Sequence, residues 1–288
     1  MAKIKTLLFG MTGFGNSAFK VLIEHPSVEL IGVFMPSRQI APFPYYECEK
    51  LNDSATASGV ALYEGLLLRD DGTYELINKL SPELMVVSSF NQIVPESIIS
   101  LPGLGIINVH PSLLPEYRGA TPTVWALANG EEKTGVTVHF IEDERLDNGR
   151  IIAQSALKID PMDNDGTLRQ KLAALSEIIL TEALDRILSQ DRELFPEQDE
   201  SKATYYPKRS FKDAEIDIHR PFREILNKIR AMSPYPEAYI TYNQKKYVVM
   251  GAALLDGKNS LHTGVVQDGE VITETPEGIV KFQVRNGE

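Results

Sequence analysis

Three side chains in this 288-residue sequence could do chemistry together: Asn108, His110 and Asp147. Asn108 and His110 lie two apart in the apolar run Ile106-Ile107-Asn108-Val109-His110, which stops at Pro111. As a strand, this run has a side-chain period of two and puts both polar groups on one face. A second apolar run, Thr134 to Ile141, leads to Asp147-Asn148-Gly149. One amide, one imidazole and one carboxylate would then converge at a sheet edge. Such a set suits carbonyl chemistry. The Asn108 amide can donate to a developing oxyanion, and one such donor is typically worth roughly 2.7–4 kcal/mol of barrier. His110, with an ordinary pKa of about 6.5, can move protons near neutral pH. Asp147 can orient it and help take a proton. Singly, each has a plain structural reading: a strand-end cap, a hydrogen-bonded histidine, a turn. The case rests on the combination.

The elements around these residues alternate between strands and helices. Ile4 to Phe9 reads as a buried strand, and Gly10 to Gly15 as a tight turn into a helix of about ten residues. Val28 to Met35 and Glu83 to Ser89 are further buried strands, with Gly72 to Leu80 a helix between them. Cys48 to Ser58 reads as a short helix, Val60 to Tyr63 as a short strand and Arg150 to Leu157 as a longer one. Thr167 to Ser189 carries Leu168, Leu172, Leu175, Ile179 and Leu180 at helical spacing. This order implies a Rossmann-like, doubly wound and mainly parallel sheet over residues 1–200. In such sheets ligands bind at the carboxyl ends of the strands. The polar, proline-bearing stretch Asp191 to Lys202 reads as a linker. Beyond it, a helix at Ile218 to Met232 precedes short strands with turns, including Ala238 to Tyr242, Asn243-Gln244, Lys245 to Leu255, His262 to Gln267 and Gly278 to Val284. Residues 201–288 should form a small β-barrel.

Charge is uneven. Residues 1–200 hold 16 Lys+Arg against 29 Asp+Glu, a net −13, and 201–288 hold 13 against 11, a net +2. Tight nucleic-acid binding needs basic patches that displace counterions, so this balance lowers the expectation of a polyanionic partner. No apolar run approaches the roughly 20 residues that span a bilayer. The basic-then-apolar start is too short for a signal peptide and has no cleavage-like site. With a single cysteine, Cys48, no internal disulfide forms, and the cytoplasm is the expected compartment. No H-E-x-x-H or Cys-rich pattern points to a metal, and no G-x-S-x-G elbow or G-x-x-x-x-G-K-[ST] loop occurs.

The stretch from Gly105 to Ile152 resembles the N10-formyltetrahydrofolate-dependent formyltransferases. The matching motifs are Asn108-x-His110, Ser112-Leu113-Leu114-Pro115 with Arg118-Gly119, Thr134 to Thr137, and Asp147-Asn148-Gly149, in order and at the family's spacing. Ala203 to Lys208 and Ile229 to Pro236 look, more loosely, like the C-terminal domain of this family, an OB-like barrel. The resemblance implies the formyltransferase fold and acyl transfer through a tetrahedral intermediate. Catalysis would fall to Asn108, His110 and Asp147, with no metal. It places Phe90, Asn91, Gln92, Ile93 and Val94 along the folate pocket, where the bare sequence reads a loop and a proline-started helix. Ser112, with Leu113, Leu114 and Pro115, would either touch the pterin or fix its own loop, and Leu114-Pro115 suits a cis peptide. Arg118 with Gly119 would bind an anionic substrate group or brace loop carbonyls. Val124 and Trp125 read as core.

The resemblance fixes the reaction better than the acceptor. Methionyl-tRNA formyltransferases usually carry a basic, Gly-rich loop after the second strand; Pro36 to Pro44 holds one cation. The wording around His110 to Arg118 and Thr121-Pro122-Thr123 looks more like the sugar and small-molecule formyltransferases. The expected acceptor is therefore a primary amine on a small molecule, an amino sugar on a nucleotide first, with methionyl-tRNA second. A formyltetrahydrofolate hydrolase using the same three residues is a third reading. Dedicated hydrolases usually carry an extra N-terminal domain, whereas this sequence opens on its first strand. A non-catalytic folate-binding protein is a fourth. Nucleotide-sugar relatives are often dimers, which makes a homodimer an expectation, although nothing in the sequence itself sets the oligomeric state.

Overall fold

The computed structural model describes residues 2–37, 45–189, 194–255, 266–267 and 269–287. The chain forms two compact units. The first comprises Met1–Gly119, Lys133–Lys158 and Arg169–Tyr206; the second comprises Ala120–Glu132, Ile159–Leu168 and Pro207–Glu288. The second unit thus takes in two segments that a single cut near residue 200 leaves in the first.

The first unit follows from its uninterrupted apolar runs, which are strands covered on both faces. In chain order they are β1 (Ile4–Gly10), α1 (Phe14–Glu24), β2 (Val28–Met35), α2 (Leu51–Ala57), β3 (Leu62–Glu64), α3 (Asp71–Leu80), β4 (Leu84–Ser88), α4 (Glu96–Ile99), β5 (Ile106–His110) and β6 (Arg118–Gly119). After α5 (Pro122–Ala128) come β7 (Lys133–Ile141), β8 (Ile151–Lys158), α6 (Asp165–Ser189) and β9 (Tyr205–Tyr206). Seven strands line up in the order β3-β2-β1-β4-β5-β7-β8. The pairs from β3 through β5 are parallel, whereas β7 runs antiparallel to both β5 and β8. This is the mainly parallel, doubly wound sheet that the alternating pattern predicts, with one reversed strand next to β5. Leu7, Phe9, Phe34, Met85, Val87 and Ile106 form one core on it, all nearly fully buried. Truncating such a residue, as in Met85→Ala, costs about 2–5 kcal/mol through lost burial and the cavity left behind.

Local chemistry sets the helix boundaries. The Gly10 to Gly15 turn enters α1 through Gly13, whose N–H donates to the Asn16 side chain at 2.8 Å. α6 starts at Asp165, two residues before the expected Thr167. There Asn164 and Thr167 each accept the other's backbone N–H, at 2.9 and 3.0 Å, a reciprocal cap that satisfies two orphan donors. The expected helix from Cys48 begins instead at Leu51, whose N–H donates to Thr12 Oγ1.

The second unit holds α5, α7 (Phe222–Ala231) and a five-stranded antiparallel sheet in the order β10-β11-β14-β13-β12. These are Tyr239–Tyr242, Lys245–Leu255, Gly278–Asn286, Glu270–Thr275 and Val266–Gln267, and the sheet curls as half of a barrel. Asn243 and Gln244 both take positive φ, at 47° and 62°, as a two-residue turn matched to strand twist requires. α7 starts at Phe222, four residues after the expected Ile218, directly behind Pro221, whose backbone is extended and not helical. Most of the expected strand from His262 lies outside the described residues, as does most of the Pro36 to Pro44 loop.

Candidate active site

Asn108 and His110 sit on the last three residues of β5 and share a face, as their spacing requires. The reversed strand β7 places His139 directly opposite Asn108 and Thr137 opposite His110. After β7 the chain loops back, so that Asp147 returns to the same face. Asp147 adopts a left-handed backbone, at φ 53°. Its Oδ1 accepts from the Asn108 amide at 3.0 Å and lies 3.5 Å from His110 Nδ1 and 3.4 Å from His139 Nε2. Its Oδ2 accepts the Gly119 N–H at 2.8 Å. One carboxylate therefore gathers an amide, two imidazoles and a backbone donor.

The tautomers follow from the other ring nitrogens. His110 Nε2 lies 2.9 Å from the Tyr117 carbonyl, so it carries a proton, and Nδ1 of the neutral ring is bare and faces Asp147. His139 Nδ1 donates to the Phe140 carbonyl at 2.8 Å, which leaves Nε2 to accept from the Asn108 amide at 3.1 Å. Burial pushes the His110 imidazole below its usual 6.5, against the pull of Asp147. Burial also opposes the Asp147 charge, yet His110, His139 and the Gly119 N–H together hold its carboxyl well below the usual range. At neutral pH the site holds a carboxylate beside a neutral, proton-accepting imidazole.

Two glycines make this geometry. Gly119 has φ +98°, and a Cβ there would strike the Tyr206 carbonyl, its neighbour across the β6–β9 pair. A Cβ on Gly149 would strike the Phe140 carbonyl.

The loop residues divide. Ser112 is buried and its hydroxyl donates to the Glu116 carbonyl at 2.8 Å, a bond within its own loop. The Leu114 N–H donates to Thr137 Oγ1, and the Leu114 carbonyl accepts from Gln154. Leu114-Pro115 is cis. Leu114 is buried, while Leu113 and Pro115 are half-buried. Arg118 is fully buried and its guanidinium donates to the side chains of Gln198, Glu200 and Tyr205. β4 leaves the sheet with Val87 beside Asn108, so Phe90 to Val94 start at the level of the site. There Gln92 bonds the backbone of Leu66 and Leu68, Phe90 packs edge-on against Phe9, and Val94 is in the core. Asn91 and Ile93 are exposed. His139 and Gln198 were not among the expected site residues; only the β5–β7 register and the path of the chain after α6 bring them in.

The Formyl transferase family model matches residues 38–184, and the Formyl transferase, C-terminal domain model matches 209–287. A methionyl-tRNA formyltransferase of Staphylococcus aureus is 32% identical over 276 residues, covering 96% of this chain and 86% of that protein. This chain belongs to the formyltransferase family. Among solved structures, this formyltransferase resembles the N-formyltransferase of Helicobacter canadensis in complex with folinic acid and dTDP-3-aminofucose, at 19% identity and a TM-score of 0.71, over 98% of this chain and 100% of that one. A sugar N-formyltransferase of a Shewanella species matches at 19% identity and a TM-score of 0.67, over 88% and 99%. At those identities the likeness speaks for the fold.

Proposed function

We propose that this formyltransferase moves a formyl group from N10-formyltetrahydrofolate to a primary amine of a small molecule, first an amino sugar carried on a nucleotide. The observation that carries the chemistry is the meeting of Asn108, His110 and Asp147 around one carboxylate oxygen. The amine attacks the formyl carbon, and the carbonyl oxygen takes up negative charge. On substrate entry the formyl oxygen displaces one internal partner of the Asn108 amide and accepts its N–H. His110 Nδ1 receives the proton leaving the attacking nitrogen. The new imidazolium lies beside ionised Asp147, which stabilises it. Return of that proton to the departing folate nitrogen lets the C–N bond break and releases tetrahydrofolate. No covalent enzyme intermediate is needed.

For the acceptor, the support is the net −13 over residues 1–200, which repels a polyanion, together with the shared fold of an N-formyltransferase solved with dTDP-3-aminofucose and of a sugar N-formyltransferase. A second reading, methionyl-tRNA as acceptor, is favoured by the 32% identity to the Staphylococcus aureus enzyme. The test follows tetrahydrofolate release from N10-formyltetrahydrofolate with methionyl-tRNA and a panel of nucleotide amino sugars in parallel. Turnover with a sugar supports the first reading. Turnover with tRNA alone replaces it with the second. Release without any acceptor marks a hydrolase, and no release with folate bound marks a binding protein.

A further inference from the structure

We propose that Gln198, held in place by the buried Arg118, is a positioning residue that sets the backbone of the Asp147 loop and through it the catalytic carboxylate. This rests on the formyl-transfer reading of the site. Gln198 lies in the stretch that reads as a linker, yet it is buried. Its Nε2 donates to the Asp147 carbonyl and to the Gly149 carbonyl, both at 2.8 Å. Its Oε1 accepts from Arg118 Nε at 3.1 Å and Nη2 at 2.8 Å. Two donors and two acceptor sites are all that a primary amide has, and each is in use. Arg118 completes its set on Glu200 Oε1 and Oε2, at 2.7 and 3.0 Å, and on the Tyr205 hydroxyl. The guanidinium thus orients the amide, and the amide pins the two carbonyls that bracket Asn148. One of these carbonyls belongs to Asp147 itself, whose left-handed backbone needs outside support. The free N–H of Gly119, the residue after Arg118, then meets Asp147 Oδ2. The buried cation thereby supports Asp147 from both its backbone and its side chain without touching it.

The test uses two substitutions in the full chain, assayed with whichever acceptor turns over fastest in the panel above. Gln198→Met removes donors and acceptor. Gln198→Glu restores the acceptor for Arg118 but not the donors to the two carbonyls. Both should lower kcat by about tenfold to hundredfold, the scale of a roughly 1 Å misplacement, with KM for donor and acceptor changed less than about twofold. Gln198→Glu should keep a thermal midpoint close to that of the unsubstituted protein, so it decides the matter even if Gln198→Met fails to fold. In an Asp147→Asn background, Gln198→Glu should change the residual rate less than about twofold, because the two act as one unit. Ordinary kcat in Gln198→Glu, or a raised KM with kcat unchanged, overturns the proposal. Asp147→Asn alone separates the two ideas: if it turns over normally, the catalytic reading of the site fails, whatever Gln198 does.

Discussion

Two carboxylates of this chain, Asp165 and Asp147, face different kinds of partner. Asp165, at the start of α6, is fully buried and faces the Arg209 guanidinium at 3.0 Å and the Thr123 hydroxyl at 2.6 Å. Asp147 faces two imidazoles, an amide and a backbone N–H, with no Lys or Arg in ion-pair reach among the described residues. A guanidinium does not give up its proton in a protein, so the Asp165 pair is a permanent brace. An imidazole changes charge near neutral pH, which suits the Asp147 cluster to the proton transfer proposed for it. Its side chain also keeps about a tenth of its surface open, whereas that of Asp165 keeps none. The partner each acid faces, a permanent cation for Asp165 and imidazoles for Asp147, distinguishes the two sites.

Asp147→Asn should break the comparison most sharply in rate. Removing the charge that stabilises the imidazolium should lower kcat by roughly 10²–10⁴-fold while the thermal midpoint stays near its original value. Asp165→Asn should do the reverse. It removes the carboxylate charge that faces the buried Arg209 guanidinium and should destabilise the fold by about 3–5 kcal/mol in urea unfolding, with kcat of the folded fraction within a few-fold. If Asp165→Asn proves as harmful to kcat as Asp147→Asn, the contrast fails.

Gly119→Ala comes next. The added Cβ meets the Tyr206 carbonyl and forces a side-chain residue to φ +98°, a strain of about 1–3 kcal/mol in stability. It should also displace the N–H from Asp147, so kcat should fall further than the stability loss alone explains.

The smallest effect is in pH. His110 acts as a base only when neutral, and burial holds its pKa below 6.5. Turnover should therefore stay level from pH 7.5 to 6.5 and fall only below that, as the imidazole protonates. Stability should follow the same sign: the unfolded chain takes up the His110 proton first, so unfolding is favoured as pH drops below 6.5. An acid limb of kcat/KM centred above pH 7 contradicts this assignment.

The apolar runs around residues 4–9, 84–88 and 106–110 determined a buried, mainly parallel sheet by themselves, because nothing but burial on both faces accommodates such strands. The two-residue spacing of Asn108 and His110 determined that they share a face, since pleating leaves no other choice. The return of Asp147 was legible as a turn, and Leu114-Pro115 as a site suited to a cis bond. Tertiary structure alone decided the partners. Nothing local to Val138-His139-Phe140 says that β7 reverses beside β5 in the register that sets His139 against Asn108. Nothing local to Gln198 distinguishes it from a solvated linker residue; its role depends on a guanidinium 80 residues earlier in the chain. That Arg118 meets Gln198, Glu200 and Tyr205 is likewise invisible in the residues around it. Periodicity records which face a side chain occupies, and that much is written locally. Which groups share a desolvated volume depends on how distant strands register, and that is settled only when the chain packs.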